Sequence, residues 1–139
     1  MKALSFCVLV SAIVALEVFS QEKTNLETGP MQIEFIRSGG YEGTPHGANI
    51  NSEDLTLEEA SKLRELVNAA SFFDLPPKIS SKQRLCFDCW HYTISIETSR
   101  RKHTVYIDTE TAEVPLSLRP LLSWLSEQAC NKPEFKRNC

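Results

Sequence analysis

From Leu55 to Pro77 the chain reads LTLEEASKLRELVNAASFFDLPP, an order of apolar and polar residues with the period of a one-sided helix. Leu57, Ala60, Leu63, Leu66, Val67 and Ala70 recur on one side, and Glu58, Lys62, Glu65 and Asn68 on the other. Thr56 followed three residues later by Glu59 has the spacing of a capping box, in which a hydroxyl and a carboxylate satisfy backbone donors that the first turn leaves open. Leu55 and Ala60 stand where a hydrophobic staple forms. Pro76 and Pro77 forbid continuation, so the pattern predicts a helix that starts after Thr56 and ends near residue 71. Its apolar stripe must be covered by the flanking segments.

Those segments alternate with the period of strands. Met31, Ile33 and Phe35 face one way and Gln32, Glu34 and Ile36 the other. Gly39, Gly40 and Gly43, three of the five glycines in the chain, predict a turn with positive φ, and residues 47 to 52 are a weak return strand. Residues 78 to 84 read as polar and irregular. Trp90, Tyr92, Ile94 and Ile96 alternate with His91, Thr93, Ser95 and Glu97, and Val105 and Ile107 continue the alternation beyond the basic turn TSRRK, predicting a hairpin. Leu118, Leu121, Leu122 and Leu125 then share a helical face, with Trp124 beside it and Pro120 in a first turn. The expected fold is α+β in the order ββαββα, an antiparallel sheet with two helices packed on one face.

Composition changes the picture at the two ends. Met1-Lys2 followed by an apolar run from Ala3 to Phe19 reads as a signal peptide cut before Gln21, and Glu17 weighs against a membrane helix. The domain reading is a signal over residues 1–20, a flexible leader over 21–30, an α+β domain over 31–129 and a tail over 130–139 tethered by a disulfide. The product is expected outside the cell or in the periplasm, free of the membrane once the signal is cut. A net charge of −3 argues against nucleic acid as a partner.

The mature chain keeps Cys86, Cys89, Cys130 and Cys139, an even number suited to two structural disulfides in an oxidising compartment. If residues 86 to 89 are extended, Cys86 and Cys89 stand ~10 Å apart, too far for a mutual bridge. That favours each bonding one of Cys130 and Cys139, though three connectivities remain open. Cys86, Cys89 and His91 supply three zinc ligands with no fourth, so no metal and no cofactor is expected. His46, His91 and His103 read as solvated, and the Arg100, Arg101, Lys102 run as a solvated hairpin tip. No nucleophile, base and oxyanion donors come together, so the chain is not expected to be an enzyme.

IEFIRSGGYEG at 33–43, LTLEEASKLRELVNAASFFDLP at 55–76, DCWHYTISIE at 88–97, RKHTVYID at 101–108 and LRPLLSWL at 118–125 resemble, in order and spacing, the ordered segments of the protealysin inhibitor (emfourin) family. The resemblance implies an inhibitor of thermolysin-like zinc metalloproteases that blocks the active-site cleft with surface loops; the signal peptide is what makes it a secreted one, and a monomer is expected. The signal peptide, the cysteines and the tail depart from the family's pattern. Two loops are candidates for the protease contact: Gly39, Gly40 and Tyr41 in the glycine turn, and Asp108, Glu110 and Glu113 in the acidic loop. The rival reading is a secreted protein-binding or adhesion module with no inhibitory action.

Overall fold

The computed structural model describes residues 29–39, 45–80, 90–108 and 114–131. In chain order the elements are β1 (Met31–Gly39), β2 (His46–Asn51), α1 (Leu57–Ala69), a 3-10 turn (Phe72–Asp74), β3 (Lys78–Ser80), β4 (Trp90–Thr98), β5 (Lys102–Asp108) and α2 (Arg119–Asn131). The strands form one sheet in the order β2-β1-β4-β5-β3. Three pairs are antiparallel, but β3 runs parallel to β5, with Ile79 opposite Ile107. The sheet is therefore mixed and five-stranded rather than purely antiparallel and four-stranded.

Strand β3 is what the pattern of residues 78 to 84 hides. It is three residues long, follows two prolines, and finds its partner in β5. Tyr106 donates its N–H to the Pro77 carbonyl at 2.9 Å at the start of this pairing. A pairing partner so distant in sequence leaves no local period to read.

The α1 boundaries follow the capping box. The Thr56 side chain accepts from the Glu59 N–H at 3.2 Å, and the Glu59 carboxylate accepts from the Thr56 N–H at 3.0 Å and from its hydroxyl at 2.7 Å. These bonds hold the Glu59 carboxyl below its usual value. Their contribution is accordingly present above the ordinary glutamate range and lost as pH falls through the lowered value. Thr56→Ala is expected to cost about 1 kcal/mol at neutral pH, read as a lower midpoint in urea with the slope unchanged.

Ala60, Leu63, Val67 and Ala70 are buried, and Leu55 and Leu66 pack against the core from its border. Leu57 is the exception: it is 92% exposed. At 100° per residue it stands to one side of the buried stripe.

Met31, Ile33 and Phe35 of β1, Tyr92, Ile94 and Ile96 of β4, and Val105 and Ile107 of β5 form one hydrophobic cluster with both helices. α2 brings Leu121, Leu122, Trp124, Leu125 and Ala129 to it. The opposite face of the sheet carries Glu34, Asn49, Glu97 and Lys102, all exposed. His46, expected in solvent, is 4% exposed, because its register partner is Arg37 on the covered face. His103 sits on that same face, its Nε2 2.9 Å from the Leu75 carbonyl oxygen. Arg101 stays exposed at the hairpin, with its guanidinium 3.9 Å from the centre of the Phe73 ring.

Candidate functional site

The strand register gathers several strand ends at one end of the sheet. Gly39, the last residue of β1, lies opposite Trp90, the first of β4. His91 lies opposite Asp108, the last residue of β5, and Asp108 lies opposite Ser80, the last of β3. Arg37 opposite His46 sets the start of β2 at this same end. The connections over residues 40–44, 81–89 and 109–113 all leave from these positions. Of the sequence-derived candidates, Gly39 and Asp108 are described, whereas Gly40, Tyr41, Glu110 and Glu113 lie outside the described residues.

Gly39 has φ 97°, a left-handed value that glycine adopts without strain, as the glycine-rich stretch predicts. β1 and β5 flank β4, so Gly39 and Asp108 stand two strand spacings apart, about 10 Å. The two loops treated as rivals in the sequence are thus rooted side by side.

On the uncovered face at this end, His91 Nδ1 is 3.0 Å from one Asp108 oxygen and Lys78 Nζ is 3.9 Å from the other. The His91 ring lies parallel to Tyr106, 4° between planes and 6.3 Å between centres, and Lys78 stands 5.7 Å from the centre of the Tyr106 ring. Both oxygens of Asp108 therefore face basic groups of the fold itself, which suits it to anchoring the root of the acidic loop. On the covered face the Arg37 guanidinium lies 4.3 Å over the Trp90 ring. Burial pushes the Tyr92 phenol up, and the charge of Arg37 opposes that rise. Farther along the chain, the Arg119 Nε–H donates to the Val114 carbonyl at 3.1 Å, fixing the return from residues 109–113 onto α2.

Sequence reading missed the His91, Tyr106 and Lys78 grouping. The first two were legible in principle: Thr98 donates its N–H to the Arg101 carbonyl, and a two-residue Ser99-Arg100 tip counted outward sets His91 against Asp108. Lys78 was not, because it arrives on β3.

Among the described residues no group of three His, Cys, Asp or Glu side chains is placed to hold a metal ion, and no helix is long and apolar enough to cross a membrane. Cys130 lies on the last turn of α2 and is disulfide-bonded; Cys86, Cys89 and Cys139 lie outside the described residues.

The family model named Emfourin matches residues 35–126, from the middle of β1 into the second half of α2. No curated protein matches the chain, and no solved structure does.

Proposed function

The chain belongs to the emfourin family, a family of protease inhibitors, and we propose that it is an exported inhibitor of thermolysin-like zinc metalloproteases that enters the active-site cleft with the loops rooted at Gly39 and Asp108. The observation that carries this reading is the family match itself, which takes in most of β1, all of β2 to β5, α1 and half of α2. The geometry of the loop roots supports it. Thermolysin-like enzymes keep an open coordination position on their zinc, in a cleft that favours extended backbone. A protein that fills such a cleft gains from loops held at both ends by a rigid scaffold, because ordering them costs little on binding. Roots about 10 Å apart let both loops meet one enzyme surface.

Titrating thermolysin with the mature chain is expected to abolish activity at a one-to-one endpoint. Steady cleavage of the chain with no loss of enzyme activity would sink the proposal and favour a binding module without inhibitory action.

Export and the cysteines belong to the same reading. Disulfides persist in oxidising compartments, and Cys130 is already bonded. Mass spectrometry of the unreduced, alkylated protein is expected to find no label on Cys86, Cys89, Cys130 or Cys139. Stoichiometric zinc in the purified protein would overturn the two-disulfide assignment.

A further inference from the structure

We propose that the free edge of β2, with the groove beside it on the uncovered face of the sheet, takes an extended segment of a partner protein carrying a basic residue, as a sixth strand. Just past the end of β2 the Ser52 N–H donates to the Met31 carbonyl at 2.9 Å, and the Met31 N–H donates to the Ser52 hydroxyl at 2.9 Å, so the Ser52 backbone N–H is turned to β1. By alternation Ile50, Ala48 and His46 turn their backbone groups to β1, whereas Gly47, Asn49 and Asn51 turn theirs to the edge. Among the described residues no strand lies beyond β2. The Asn51 carbonyl accepts from the Asp54 N–H at 3.0 Å, so the donors and acceptors of Gly47 and Asn49, with the Asn51 N–H, are what an incoming strand meets.

The two edges of the sheet differ in how they meet such a strand. β3 is three residues long, follows Pro76-Pro77 and opens with Lys78, all features that discourage strand addition. β2 is six residues long, HGANIN, with no proline, lysine, arginine or acidic residue. Among the described residues it is the edge without such protection.

Charge selects the occupant. A groove of about 350 Å³ runs from Asn49 and Asn51 past Glu34 to Glu97, with Asp54 among its lining residues. Its cation, Lys102, is held 2.9 Å from Glu97, and that hydrogen bond, with the charges of Glu97 and then Glu34, raises the ammonium above its usual value. Glu34 and Asp54 remain exposed, with no ion-pair partner among the described residues. A residue opposite Asn49 on an added strand would direct its side chain onto this face. Glu34, the register partner of Asn49, is then two strand spacings away, about 10 Å, which a lysine or arginine and the glutamate can close between them. Backbone bonding supplies affinity whatever the sequence, and this side chain supplies the preference.

The groove lies at the Met31 and Thr98 end of the sheet, opposite the loop roots, so both surfaces can be occupied together. The test needs no protease. A fluorescein-labelled heptapeptide alternating valine and arginine is titrated into the mature chain at low and high salt, beside a valine and glutamate control. Saturable binding of the arginine peptide is expected, weakened by salt, weakened at least about tenfold by Glu34→Lys, and removed by Asn49→Pro, whose lost N–H faces the edge and not β1. Absence of saturable binding overturns the proposal, as does equal binding of the glutamate peptide. Glu34→Lys binding like the parent overturns it without recourse to the proline variant. Concentration-dependent self-association that Asn49→Pro removes, with no peptide bound, would assign the edge to a second copy of the chain instead.

Discussion

Replacing Phe72 by alanine is expected to cost about 3–5 kcal/mol, the largest stability loss from any single substitution considered for this fold. Phe72 is 0% exposed and lies in the 3-10 turn that joins the helical layer to the sheet. The turn exists because α1 ends at Ala69 and Ser71 takes a left-handed φ of 47°, redirecting the chain; the Ser71 N–H donates to the Asn68 carbonyl and the Leu75 N–H to the Phe72 carbonyl. The Phe72 ring then meets Phe73 edge-on at 5.8 Å and His103 of β5 at 5.7 Å. Truncation leaves a cavity between layers that cannot close, since β5 is held by β4 on one side and β3 on the other. Denaturant unfolding should show the lower midpoint with an unchanged slope, and the thermal midpoint should fall by about 10 °C or more. Phe73→Ala, at a half-buried position, should cost clearly less. Equal losses at the two sites would mean that Phe72 is not the joint between the layers.

The second large effect is expected in inhibition, at residues outside the described part of the chain. Glu110 and Glu113 lie in the connection that leaves Asp108, and Tyr41 in the one that leaves Gly39. If a loop carboxylate meets a desolvated cation in the protease cleft, Glu110→Ala or Glu113→Ala should weaken inhibition by ~2 kcal/mol, which is about thirtyfold, with thermal stability nearly unchanged. Asp108 already faces His91 and Lys78 of the fold itself, so Glu110 and Glu113 are the carboxylates chosen for substitution. Inhibition constants for the two glutamate variants and Tyr41→Ala, measured side by side, decide between the loops. Parent-like inhibition by both glutamate variants with a weakened tyrosine variant would make the glycine turn the working surface.

Most of the folded elements were written locally. The start of α1 depends on Thr56 and Glu59, three residues apart, and its buried stripe on a period that repeats every turn. The strands β1, β4 and β5 announce themselves because successive side chains alternate between a covered face and an open one. The β4–β5 pairing follows from a tip too short to allow any other register. Contacts of this range lie within one window of sequence, so their residues can be read together.

Other features required the assembled fold. β3 is a strand only because β5 lies beside it, and the order β2-β1-β4-β5-β3 places β1 between partners from different parts of the chain. His46 is buried because Arg37 on the covered face is its neighbour, and the exposed Arg101 finds the Phe73 ring only because the helical layer brings that ring to the hairpin. The same assembly roots the glycine turn and the acidic loop at one end of the sheet and, among the described residues, leaves β2 with no strand beyond it. Each of these depends on which segments become neighbours in space, and that choice is made by the burial of the whole apolar set at once, which no short window of sequence contains.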